Sequence, residues 1–152
     1  MKLRVEIDPN ANEEIVIKIK EFNDASRSLI DAAGRLLSSA GELEVTDGEK
    51  DVFIRISDCL FFDTCDGRVN AHTADGDYVC SQKLYELEKI LPRSFVRASK
   101  ASIVNTEKIS SMMRSLTGVT DAGFFGTNKT VSVSRLYYHT VKDTIDETRL
   151  AK

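Results

Sequence analysis

The sequence predicts a mainly β protein, α+β overall, and three observations carry that reading. Apolar and polar residues alternate over many short runs, Asp-Gly and similar turn dipeptides separate those runs, and only a few segments change to three- and four-residue apolar spacing. With 152 residues, 41% of them apolar, the chain has material for one average domain, or for a domain with a small appendage.

The elements follow in order. Leu3, Val5 and Ile7 alternate with Lys2, Arg4 and Glu6, which predicts a strand over 2–7, and Pro9-Asn10-Ala11-Asn12 breaks it. Ile15, Ile17 and Ile19 repeat the pattern over 14–20. Asn23 or Asp24 then caps a helix over 24–39, whose apolar face runs through Ala25, Leu29, Ala32, Ala33, Leu36, Leu37 and Ala40 with Gly34 as a mild interruption.

From residue 42 short strands dominate: 42–46, 51–57, 59–64, 68–73 and 77–80. Asp47-Gly48, Asp66-Gly67 and Asp75-Gly76 join them, because Asp and Gly accept the positive φ of tight hairpin turns. A helix is expected over 81–90, capped by Ser81, stopped by Pro92, and turning Leu84, Leu87, Ile90 and Leu91 inward. Strands resume at 95–97, 102–104 and about 109–116, and a hairpin runs from 117–125 to 130–134 around Gly126-Thr127-Asn128-Lys129. Leu136, Tyr137, Val141 and Ile145 mark a closing helix over 136–145. The one plausible boundary lies near 40–42, separating a strand-strand-helix piece (1–41) from a β-rich remainder (42–152).

Composition excludes several function classes. The longest apolar runs, such as Cys59-Leu60-Phe61-Phe62, are far short of the roughly 20 residues a membrane span needs. The charged amino terminus does not read as a signal peptide, so the expected location is cytoplasmic. Cys59, Cys65 and Cys80 are odd in number and unpaired in spacing, which predicts reduced thiols, with redox sensing by Cys65 as the alternative. His72 and His139 have no neighbours at triad spacing. Asp63, Asp66, Asp75 and Asp77 lack the pattern of a calcium loop, and Gly118, Gly123 and Gly126 fall in a hairpin rather than before a helix. The chain is therefore read as a non-enzyme without a cofactor or metal.

Charge points elsewhere. Residues 1–80 hold 9 Lys/Arg against 17 Asp/Glu, whereas residues 81–152 hold 12 against 7, a split hidden by the net −3. Between residues 93 and 135, Arg93, Arg97, Lys100, Lys108, Arg114, Lys129 and Arg135 face only Glu107 and Asp121. Several of these cations fall at loops or strand ends, where a rigid sheet holds binding residues. Arginine and lysine donors suit guanine edges and phosphates, so a polyanion-binding surface is expected.

Phe95-x-Arg97-x-Ser99-Lys100-x-x-Ile103-Val104-Asn105, then Ile109, then Val133-Ser134-Arg135, resembles the LytTR DNA-binding domain. Ile56-x-Asp58-x-x-Phe61-Phe62-Asp63, the Asp66-Gly67 turn and Leu84-x-x-Leu87-x-x-Ile90-Leu91-Pro92 extend the likeness to about residues 43–148. The whole chain is similar to small stand-alone LytTR proteins that lack a phosphoreceiver domain. The resemblance implies an elongated sandwich of small antiparallel sheets with short helices, reading double-stranded DNA through loops as a transcriptional regulator, as a homodimer on repeated sites. It also implies a regulatory membrane protein as a partner, since relatives are often paired with one.

Carried over by position, the first reading loop falls at Asp66-Gly67-Arg68, the second at Ser99-Lys100-Ala101 and the third at Ser134-Arg135, with Asn128 and Lys129 as backbone contacts. Ser99 stands where the family often has histidine, Lys100 where arginine or asparagine is commoner, and Arg68 is the only strong donor of a short first loop. The base preference of relatives therefore does not transfer. The rival reading of Arg135 is an ion pair anchoring the last helix, and Asn105 is expected to satisfy a buried turn rather than to read a base. The rival for the chain as a whole is a protein-interaction module, an adaptor or inhibitor on the same fold. Residues 1–41 are read either as a self-association or partner region or as an extension of the core.

Overall fold

A computed structural model describes residues 4, 7–10, 16–37 and 41–150, without the side chains of 31, 34–37 and 150. The chain divides into two compact units, Met1–Ser38 and Ser39–Lys152. In the first, helix α1 (Asp24–Leu37) is capped reciprocally by Asn23 and Ser26. The Ser26 amide donates to Asn23 Oδ1 at 3.0 Å, and the Asn23 amide donates to Ser26 Oγ at 2.8 Å. The strand expected over 2–7 lies mostly outside the described residues. The one expected over 14–20 does so in part, and its described residues 16–20 form no strand. Alternation alone cannot make a strand without a partner to take its backbone hydrogen bonds.

Among the described residues, the second unit contains ten strands: β1 (Glu42–Thr46), β2 (Asp51–Arg55), β3 (Cys59–Cys65), β4 (Arg68–Thr73), β5 (Asp77–Cys80), β6 (Phe95–Ser99), β7 (Ser102–Asn105), β8 (Ile109–Arg114), β9 (Thr120–Phe124) and β10 (Thr130–Val133). Helix α2 (Leu84–Ile90) precedes β6, and helix α3 (Tyr138–Leu150) closes the unit. All pairings are antiparallel. One sheet has seven strands in the order β2-β1-β5-β4-β3-β7-β6, and a second has the order β10-β9-β8. Antiparallel sheets with short helices are the architecture the resemblance implies.

Pleating, interrupted by an irregularity between Cys59 and Phe61, explains the two cores. On β3, Cys59 and Phe62 point into a core with Leu43, Val45, Ile54, Ala71 and Ile103 under α2, while Leu60 and Phe61 point to the other side. That second core joins Val104 and Ala98 of the large sheet to Ala122, Phe124, Val131 and Val133 of the small one, with Val141 and Ile145 of α3. Cys59–Phe62 and all of β7 are consequently buried on both faces, which makes them the rigid centre from which the loops project.

Local chemistry moved some boundaries. Ile56–Asp58 forms a 3-10 turn where the strand 51–57 was expected to continue. Helix α2 starts at Leu84, not at Ser81, because Lys83 is still extended and its amide donates to Glu86 Oε1 at 3.2 Å. Ile90 of that helix is exposed rather than inward. At Asp75-Gly76 no positive φ is needed. There the Thr73 hydroxyl accepts from the Gly76 amide at 3.0 Å, and the Thr73 amide donates to the Gly76 carbonyl at 2.9 Å.

Candidate nucleic-acid interface

The three bends that the resemblance singles out lie at one end of the strands. Cys65 pairs with Arg68 across the β3–β4 turn, where Asp66 and Gly67 both have positive φ (52° and 73°). That is the geometry of a two-residue primed hairpin turn, and it leaves Gly67 and Arg68 exposed. The next hairpin over, β6–β7, turns at Lys100-Ala101, and the Thr64 amide donates to the Ala101 carbonyl at 2.8 Å. The two turns therefore emerge side by side.

The β6–β7 turn is braced from within. The Ser99 and Ser102 hydroxyls lie 2.8 Å apart, and the Ala101 amide donates to Ser99 Oγ at 3.1 Å. Arg97 Nη1 donates to the Lys100 carbonyl at 2.8 Å, while its Nε donates to Glu88 of α2 at 2.6 Å. Arg97 is thus committed to holding the turn rather than free to contact a ligand. The Lys100 and Ala101 side chains are exposed, and the Lys100 ammonium has no partner among the described residues.

The third bend joins the same end through β10. The Ser134 amide donates to the Ala98 carbonyl at 2.8 Å, next to the β6–β7 turn, and the Tyr137 amide to the Ser134 carbonyl at 3.1 Å. Arg135 follows, exposed, with Nη2 donating to the carbonyl of Thr117 in the β8–β9 turn. That contact replaces the helix-anchoring ion pair considered for Arg135, because its acceptor is a backbone carbonyl. Val133 pairs with Thr120 and Arg114 with Thr120, so the β8–β9 turn also opens at this end. Arg114, there, lies 5.2 Å from the Tyr138 ring centroid.

Asn128 and Lys129, expected as backbone contacts, lie apart from this group. They sit at the opposite end of β10, and the Lys129 ammonium is satisfied internally. It donates to Asp77 Oδ1 at 2.6 Å, the Thr73 carbonyl at 2.7 Å and the Gly76 carbonyl at 3.3 Å. This hydrogen bond, with help from His72, holds the Asp77 carboxyl below the usual carboxylate range, although partial burial opposes it. His72 has a carboxylate oxygen 2.8 Å from each ring nitrogen, Asp63 at Nε2 and Asp77 at Nδ1, and stacks on Phe61 with ring centroids 4.2 Å apart.

Asn105 is buried as expected. Its Nδ2 donates to the Cys59 carbonyl at 2.9 Å and its Oδ1 accepts from the Glu107 amide at 3.2 Å, capping the 3-10 turn Thr106–Lys108. All three thiols are free: Cys65 is exposed, while burial pushes the Cys59 and Cys80 thiols up to about 12. Among the described residues no group of His, Cys, Asp and Glu could hold a metal ion, and no helix is long and apolar enough to cross a membrane.

Sequence reasoning counted Arg97 and Arg114 among the basic residues without giving them a place. The two-residue step from Arg97 to Ser99 along a strand was the available signal for Arg97's part in the turn. The β8–β9 turn carried no such signal, since its nearness to Arg135 depends on sheet pairing.

Residues 49–146 match the family described as the LytTr DNA-binding domain. An uncharacterized HTH-type transcriptional regulator of Staphylococcus aureus (strain NCTC 8325) is 32% identical over 144 residues, 94% of this chain and 97% of that protein. A protein of the same name from strain MSSA476 is 31% identical over the same shares. A solved LytTr DNA-binding domain from Bacillus cereus superposes with a TM-score of 0.63 at 17% identity, covering 68% of this chain and 95% of that one. The chain belongs to the LytTR family of DNA-binding domains.

Proposed function

We propose that this protein is a sequence-specific transcriptional regulator that reads duplex DNA through Arg68, Lys100 and Arg135, with Gly67, Ser99, Ala101 and Ser134 shaping the bends that carry them. The observation behind this reading is the gathering of three exposed cations, on three separate bends, at one end of the paired sheets. The relatives' name mentions a helix-turn-helix, but in this chain strands separate each described helix from the next. Readout by loops suits that order of elements better than readout by a recognition helix. Arginine forks onto guanine O6 and N7, while Lys100 and the exposed hydroxyls suit phosphates or the same base edge.

The protein acts as a dimer on repeated sites, with residues 1–41 supplying the self-association, and light scattering of the full chain should return twice the monomer mass. The deciding experiment is a mobility-shift titration on duplexes that the unaltered protein selects from a random-sequence library. Arg135→Ala should cost about 1–3 kcal/mol and flatten discrimination at one base pair. Full-strength binding by that variant would overturn the assignment of Arg135. Absence of salt-sensitive binding to random duplex by the unaltered protein would favour an adaptor instead.

A further inference from the structure

Arg135 is not left to find its own orientation. Its Nη2 donates to the Thr117 carbonyl, and its guanidinium fills the space in front of Gly118. A Cβ on Gly118 would lie 2.5 Å from Arg135 Nε, 2.7 Å from Nη2 and 2.8 Å from Cζ. Gly118 also has φ +84°, within a turn where its amide donates to the Ser115 carbonyl at 3.1 Å and the Ser115 amide donates to the Val119 carbonyl at 2.8 Å. The turn is thus a rigid berth, and only a residue without a side chain leaves it open.

A guanidinium has five N–H donors, and Thr117 takes one. Among the described residues the other four meet no acceptor, so the fork needed for a bidentate contact is still available. A long side chain that is already oriented loses less freedom on binding than a free one. We infer that Gly118 is a specificity-determining positioning residue, which acts on the DNA through Arg135 and not by touching it. The inference rests on the reading that Arg135 contacts a base.

The test uses the full chain and duplexes selected from a random-sequence library by the unaltered protein. Gly118→Asn is the informative variant. Asparagine tolerates positive φ far better than other side chains, so it restores a Cβ with little backbone strain, and Gly118→Ala serves as the strained comparison. Both should lose roughly tenfold in discrimination at the base pair that Arg135→Ala flattens. Affinity for random duplex and the salt slope should stay within about twofold, and a cooperative melt should persist. Adding either change to Arg135→Ala should cause no further loss. Retained discrimination by Gly118→Asn, or losses that add to those of Arg135→Ala, would overturn the inference alone. An Arg135→Ala protein with unaltered discrimination would instead remove the underlying reading and the inference with it.

Discussion

The Lys129 ammonium and the Asp77 carboxylate meet at 2.6 Å, joining the turn of the small sheet to a strand of the large one across 52 residues of sequence. The pair is an internal fastening, and it occupies the charge of a residue expected to contact the DNA backbone. Lys129→Met should therefore leave affinity for random and selected duplexes within about twofold, while lowering the melting temperature. The sign of the pH effect follows from Asp77, whose carboxyl is depressed when folded. Its stabilisation is present above the ordinary aspartate value of about 3.9 and is lost as the pH falls through the depressed value. The melting-temperature gap between the two proteins should accordingly narrow below about pH 4. Because the Asp77 side chain is 59% exposed, solvent screening keeps the effect under about 1 kcal/mol.

Arg97 offers a contrast, since its loss should weaken DNA binding without its touching DNA. Arg97→Ala frees the Lys100 carbonyl and leaves Glu88 without its partner. Specific affinity should fall by roughly three- to tenfold, read by mobility shift, with the loss confined to the contacts of the β6–β7 turn. Lys100→Ala should instead weaken all duplexes and reduce the slope of log affinity against log salt by about 1. Equal slopes for the unaltered and Lys100→Ala proteins would mean that this lysine does not meet the backbone.

Asn105 should matter for stability alone. Replacing it with Ala removes the donor to the buried Cys59 carbonyl and the cap on the Glu107 amide, at a cost of about 2–3 kcal/mol. Urea denaturation should show a lower midpoint with an unchanged slope.

Thiol reactivity should separate the cysteines. At pH 8 an alkylating reagent should modify Cys65 alone in the native protein and all three thiols after denaturation. Burial holds Cys59 and Cys80 far from the thiolate that would react. Rapid native labelling of more than one site would contradict the burial of Cys59 and Cys80 in the core under α2.

Much of this was legible in the residues. Strands β1, β4 and β5 fall where period-two alternation and turn dipeptides put them, and Asp66-Gly67 makes the primed turn its residue types favour. Where expectation failed, a competing backbone partner won: Glu86 captured the Lys83 amide and delayed α2, and Thr73 closed the Asp75-Gly76 turn without a positive φ. The candidate site was legible in part. Spacing and family likeness identified Lys100 and Arg135 as loop cations, and they also offered Lys129, which looks the same in a linear reading.

What the chain determined unaided is local: which segments alternate, which bend, and which bends carry a cation. Those properties depend on φ preferences and on side-chain periodicity, and both operate over a few residues. Tertiary structure alone decided which cations face solvent together and which are consumed. Only the pairing of β10 with β9 and the seating of Ser134 beside Ala98 bring Arg135 to the end where Lys100 emerges, and the same sheet packing pairs Lys129's charge with Asp77. The physical reason is that a charge is spent or available according to acceptors delivered from 18 or 52 residues away.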